Sequence, residues 1–225
     1  MRLILIRHGQ TPSNVADLLD TGEPGADLTK LGHRQAAAVP RSLAEERIDV
    51  VYASTLVRTQ QTAEPLLAQR DLEVRIHPGL REISAGDYEM RGDQEAIRGY
   101  LGAIFGWADD PHVKVPGGES GHEVWDRYDE VLAEAERDGV ETAVMFSHGA
   151  IMRSWSAARV ANISADYAAH NPITNTGAIV LTGSVDRGWV AHAWEDRAVG
   201  GDRVTASTDG PAGEEPPEGA LPEGS

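Results

Sequence analysis

The sequence predicts an α/β fold: a three-layer α/β/α domain with a mostly parallel sheet, an antiparallel edge hairpin, and a helical and loop insertion over the active-site edge. Three observations predict it. Short apolar runs rich in branched residues alternate with helix-like sequence. Two of these runs end in a histidine followed by a glycine, and the last two runs flank a turn-forming stretch.

The first run, residues 2–6, holds Leu3-Ile4-Leu5-Ile6 and leads into Arg7-His8-Gly9. Apolar residues without alternation suit a parallel strand covered on both faces. Helices are expected to begin near Thr29 and near Thr55, on either side of a strand over 49–53. Pro40 and Pro65 should kink or shorten them, because proline lacks the N–H of the helical ladder and crowds the preceding turn. A third strand covers 73–76. Residues 84–116 are rich in glycine and aromatics without a period and read as the insertion; they read equally as pocket wall or as a helical excursion that leaves a homodimer contact open.

Ser120 and Glu123 have capping-box spacing, and Val124, Trp125, Tyr128, Val131, Leu132 and Ala135 then recur on one helical face. A strand over 142–146 leads into Ser147-His148-Gly149, and runs over 177–182 and 189–194 flank a turn with Asp186 and Gly188. The catalytic domain is expected to span 1–199. Residues 200–225, dominated toward the end by Gly, Pro, Glu and Ala, are expected to form a disordered acidic tail, since they offer little apolar surface against the entropy of ordering.

The formal net charge is −16, which opposes binding to nucleic acid or to anionic membrane surfaces, so neither is expected as a partner. An anion site must then be locally basic. No apolar run approaches the roughly 20 residues of a bilayer-spanning helix. Cysteine is absent and the N-terminal apolar run is too short for a signal-peptide core, so a cytoplasmic location is expected.

In a parallel sheet His8 and His148 would share one edge, each followed by a glycine that lets backbone approach a ligand. Arg58 falls in the first turn of a predicted helix, where a guanidinium, backbone amides and the helix dipole together suit a phosphate. Glu82, at the entrance to the insertion, is the candidate acid.

Together these residues resemble the histidine phosphatase, or phosphoglycerate mutase-like, superfamily over roughly residues 1–195. The likeness rests on Arg7-His8-Gly9 with Gln10, Thr11 and Asn14; on Ser54, Leu56, Arg58, Thr62 and Ala63; on Glu82 and Ser147-His148-Gly149; and on Pro116-Gly117-Gly118-Glu119-Ser120. One departure is Met90, where many members have glycine after the pair matching Tyr88-Glu89.

The resemblance implies a phosphatase acting on small phosphomonoesters without metal or other cofactor. His8 would be the nucleophile and become phosphorylated, and Glu82 the general acid and base. Arg7, Arg58 and His148 would hold the phosphoryl oxygens, with Gly9, Asn14 and Gly149 completing the phosphate site. Such an arrangement supplies the positioning and charge stabilisation that phosphoryl transfer needs.

A zinc hydrolase is disfavoured because Asp126, not histidine, stands four residues after His122. A serine hydrolase lacks Gly-x-Ser-x-Gly around Ser147, and a non-catalytic phosphate-binding module would be expected to lack one of the catalytic set. The rival within the family is a cofactor-dependent phosphoglycerate mutase. Arg81-Glu82-Ile83-Ser84-Ala85-Gly86 and the unpaired Arg91 and Arg98 differ from the mutase pattern, which favours hydrolysis.

Overall fold

A computed structural model of the chain describes residues 1–195, 197–217 and 220–221. The strands β1 (Arg2–Arg7), β2 (Val50–Ala53), β3 (Val74–Ile76), β4 (Thr142–Ser147), β5 (Ala178–Ser184) and β6 (Gly188–Glu195) form one sheet in the order β3-β2-β4-β1-β5-β6. The first four run parallel. β5 and β6 are antiparallel and form the edge hairpin.

Within β1 the apolar run divides by the period of two. Leu3 and Leu5 join a core with Tyr100, Trp125, Tyr128 and Trp155, whereas Ile4 and Ile6 join Val39, Ala63 and Leu66 on the opposite face. That division is the three-layer arrangement, one core on each side of the sheet. Helices α2 (Lys30–Ser42) and α3 (Val57–Arg70) cover the Ile4 face; α4 (Gln94–Gly106), α5 (Gly121–Arg137) and α6 (Gly149–Arg159) cover the other. Two short helices, α1 (Pro12–Val15) and α7 (Ala165–His170), complete the set among the described residues.

Thr29 and Ser120 are the N-caps of α2 and α5, each accepting from the amide three residues on, and Glu123 closes the capping box of α5. The prolines act less than expected. Helix α2 ends two residues after Pro40, but α3 continues five residues beyond Pro65. Its Ala63 and Leu66 are fully buried, and that tertiary packing outweighs one lost ladder bond.

Met90 has φ 57° and is exposed. This left-handed backbone explains why glycine suits the position, because a Cβ there crowds the chain. Met90→Gly is expected to raise stability by about 0.5–1 kcal/mol, relief of strain exceeding the added freedom of the unfolded chain. A urea midpoint that rises at constant m-value is the expected result; an unchanged or lower midpoint would contradict it.

Part of the segment expected to be a disordered tail lies against the domain. Residues Gly201–Val204 and Pro211–Gly213 form 3-10 turns, Val204 and Pro211 are buried, and Gln35 Nε2 donates to Val204 O at 2.9 Å. Main-chain carbonyls there meet buried donors, an interaction that does not depend on apolar content. Residues 218–219 and 222–225 of that segment fall outside the described residues.

Candidate active site

Because β1 and β4 are parallel neighbours with Arg7 opposite Ser147, His8 and His148 leave the sheet side by side, their ring centroids 5.2 Å apart. His8 N donates to Ser147 O at 3.0 Å and so ties the two strand ends together. His8 Nδ1 lies 2.8 Å from Gly9 O. A carbonyl only accepts, so Nδ1 carries the proton and Nε2 carries the lone pair. Burial, then Arg58 and Arg7, push the His8 pKa well below its ordinary value of 6.5, so the ring is a neutral imidazole near neutral pH.

Gly9 has no room for a side chain: a Cβ would stand 2.7 Å from Gly32 O. Its N–H donates to Thr62 Oγ1, which in turn donates to Arg58 O at 2.6 Å. Thr62 of α3 thereby joins the turn after β1 to the helix that carries Arg58. Ser54, at the end of β2, lies 2.7 Å from His148 Nε2 through its hydroxyl, which also accepts from Leu56 N. The pattern of Ser54, Leu56, Arg58 and Thr62 is thus a set of contacts that join β1, β4 and the start of α3.

Arg58 is the second residue of α3 and is buried; its Nη2 donates to Asp20 O at 2.8 Å. Arg7 donates from Nη1 to Ile173 O at 2.7 Å and from Nη2 to Asp209 O. Burial lowers the pKa of both guanidiniums, with nearby carboxylates acting in the opposite direction. For His148 burial, then Arg58, also hold the pKa well below 6.5. Beside these two guanidiniums His148 is therefore held as a neutral ring.

Glu82 is buried at the N-terminus of α6. Its Oε1 accepts from Ile83 N at 2.9 Å and Ile151 N at 3.0 Å, and its Oε2 accepts from Ala150 N at 3.1 Å. Both in-plane positions of Oε1 are engaged, so the free position on Oε2 is where a proton can sit without displacing a bond. Arg127 holds the segment from behind, donating to Gly79 O, Arg81 O and Glu82 O and pairing with Glu119.

Arg7, His8, Asn14, Arg58 and Glu82 line one small cavity, together with Tyr100 from the insertion and Pro211 and Ala212 from the C-terminal segment. Tyr100 donates to Ile83 O at 2.9 Å and carries the insertion to the pocket wall. Among the described residues four buried nitrogen atoms around this region have no hydrogen-bond partner: Arg7 Nε, Arg58 Nε, Arg58 Nη1 and His148 Nδ1. Buried donors are ordinarily satisfied, so such a concentration marks a place built for a ligand with several acceptor oxygens. Among the described residues no cluster of His, Cys, Asp or Glu could hold a metal ion, and no helix is long and apolar enough to cross a membrane.

Sequence reasoning did not find Asn175 or Arg153. Asn175 Nδ2 donates to His8 O at 3.1 Å and to Asn14 Oδ1 at 3.3 Å, which fixes the turn after β1. Arg153 is fully buried on α6 and, among the described residues, donates only to main-chain carbonyls. Neither lies in a motif; the only signal was Arg153 four residues after Gly149, on the same helical face.

A family model described as the histidine phosphatase superfamily (branch 1) matches residues 3–197. The PE-PGRS family protein PE_PGRS11 of Mycobacterium tuberculosis is 34% identical over 212 residues, which are 87% of this chain; the chain spans 36% of that protein's length. Glucosyl-3-phosphoglycerate phosphatase of Mycolicibacterium vanbaalenii is 30% identical over 207 residues, covering 88% of this chain and 87% of that protein. The 2,3-bisphosphoglycerate-dependent phosphoglycerate mutase of Rhizobium etli is 35% identical over 162 residues, covering 68% of this chain and 76% of that one. Among solved structures, mycobacterial glucosyl-3-phosphoglycerate phosphatase complexed with VO3 superposes with a TM-score of 0.73 at 28% identity, covering 86% of this chain and 98% of that one.

Proposed function

Because the chain belongs to the histidine phosphatase superfamily (branch 1), we propose that it hydrolyses small phosphomonoesters without a metal, through a phosphohistidine on His8. The observation that carries this reading is the set of buried, unpartnered donors of Arg7, Arg58 and His148 beside a histidine whose Nε2 lone pair is free.

His8 Nε2 attacks phosphorus in line, the P–O ester bond breaks, and the departing alkoxide takes the proton held on Glu82 Oε2. Gly9 O keeps hold of the Nδ1 proton while the ring gains positive character. Arg7 and Arg58 stabilise the charge on the equatorial oxygens. His148 serves as a donor when Ser54 donates to its Nε2, which leaves the Nδ1 proton for the phosphate. Water then attacks the phosphohistidine, Glu82 accepts its proton, and inorganic phosphate is released.

The mutase reading has a relative behind it, yet Arg91, one of two insertion arginines, is half-buried and pairs with Asp93 and Glu95 rather than lining the pocket. A panel of phosphomonoesters assayed for released phosphate, with and without EDTA, tests the proposal. Release unaffected by EDTA is expected; isomerisation of 3-phosphoglycerate without phosphate release would overturn hydrolysis.

A pH profile adds a second test. The nucleophile must be neutral, and its pKa is lowered, so protonation removes it only as pH falls well below 6.5. The kcat/KM is expected to show no loss from His8 protonation between pH 7.5 and about 6. An acid limb near 6.5 that persists with a pH-insensitive replacement at Glu82 would contradict this.

A further inference from the structure

The C-terminal segment Asp209–Glu214 lies against the catalytic cavity. Pro211 and Ala212 line it beside His8, Arg58 and Glu82. Asp209 O accepts from Arg7 Nη2, Asp209 Oδ1 accepts from Asn175 N at 2.7 Å, and Ala212 O and Glu214 O each accept from Arg153 Nη1 at 3.2 Å. Gly213 N donates to Gly210 O at 2.8 Å, so the segment closes on itself as a tight turn.

Its glycines are fitted to the place. A Cβ on Gly213 would overlap Arg7 Nη1, and a Cβ on Gly210 would stand 2.8 Å from Asn14 Nδ2. Gly149 of the catalytic Ser-His-Gly faces the same turn, since a Cβ there would meet Ala212 O at 2.7 Å. Arg153 lies one helical turn beyond Gly149 and touches the same residue, so Gly149 and Arg153 present one face of α6 to the segment.

Arg153 is the second unusual feature. It is fully buried, its guanidinium lies 4.8 Å from the centre of the Phe105 ring, and among the described residues it forms no salt bridge. Buried cations are ordinarily paired with an anion. Here neutral carbonyls stand in for one: two from the end of α7 hold Nε and Nη2, and two from the segment hold Nη1.

We propose that Asp209–Glu214 is a built-in competitor for anionic substrates, whose main-chain oxygens hold guanidinium donors of Arg7 and Arg153, and that substrates bearing a second anionic group displace it by taking both. The phosphoryl group engages Arg7, and a carboxylate or second phosphate on the leaving portion engages Arg153. This deepens the phosphatase reading and rests on it for the identity of the first anion.

The test uses the full chain and its Gly213→Val variant, which cannot keep the turn against Arg7. Affinity for inorganic phosphate is measured by calorimetry, and turnover on p-nitrophenyl phosphate and 3-phosphoglycerate by phosphate release. If the closed segment dominates by about ten to one, its release strengthens phosphate binding and lowers KM about tenfold at unchanged kcat. Phosphate binding that is unchanged or weaker, in this variant and in a chain ending at Ser207, would overturn the competitor and make the segment a wall of the substrate site.

Arg153→Gln is read as the ratio of kcat/KM for the two substrates within one preparation, which does not depend on how much of it is folded. A loss at least about tenfold greater for 3-phosphoglycerate is expected for one charge-assisted contact. Equal losses would overturn the second anion position. If no ester is hydrolysed but phosphate binding still tightens in Gly213→Val, the competitor stands and the phosphatase reading falls.

Discussion

Replacing His8 with alanine is expected to lower kcat by at least about 10⁴-fold, the scale seen when a covalent nucleophile is removed from an otherwise intact site. No neighbouring group replaces it. His148, 5.2 Å away between ring centroids, has its Nε2 engaged with Ser54, and water in the pocket would lack a histidine at attacking distance. The variant should fold, because the anchoring bonds here come from the His8 main chain, whose N–H meets Ser147 O and whose carbonyl accepts from Asn175 Nδ2. Phosphate binding through Arg7 and Arg58 should persist. Substantial turnover by a well-folded His8→Ala protein would remove the covalent mechanism, whereas loss of phosphate binding as well would mean that His8 is chiefly structural.

Glu82→Gln should cost about 10²- to 10⁴-fold in kcat on alkyl phosphates and much less on p-nitrophenyl phosphate, whose leaving group needs no proton. The dependence on the leaving group separates lost acid catalysis from general damage. There is a stability effect as well. Glutamine must place an NH₂ where a carboxylate oxygen accepted, and facing Ile83 and Ile151 it would lose two bonds; facing Ala150 it loses one. The less costly orientation still leaves one buried N–H unpaired, worth about 1–3 kcal/mol. Equal losses on both ester types would argue that Glu82 organises the N-terminus of α6 rather than moving a proton.

Much of the frame was legible in the sequence because its signals are local. The unbroken apolar runs of β1 and β4, the capping box of Ser120 and Glu123, and the glycine after each histidine report backbone demands that neighbouring residues alone reveal. His8, Arg58 and His148 stand out for the same reason, each at a strand end or helix start, whereas Glu82 stands at the entrance to the insertion. Tertiary trades were hidden. Pro65 is tolerated because Ala63 and Leu66 are buried around it, a fact about α3 and the sheet rather than about its own sequence.

The C-terminal segment was the hardest to read. Composition measures the apolar surface a stretch can bury, but Asp209–Glu214 is held through its carbonyls by two guanidiniums more than fifty residues away in the chain. Asn175 was missed for a similar reason, since its partners His8 and Asn14 lie on a turn at the other end of the domain.

The place of β1 in the sheet bears on how the chain reaches this state. Its neighbours are β4 and β5, which end at Ser147 and Ser184, so the first strand made has no partner until most of the domain has been synthesised. Until then Leu3-Ile4-Leu5-Ile6 presents two open edges and two apolar faces, the features that promote association between unfinished chains. Pairing across such a span is slow because the loop must close before any contact rewards it. Refolding yield should therefore fall steeply with protein concentration, and the catalytic histidines, which meet only when β1 and β4 pair, should report the late arrival of native structure.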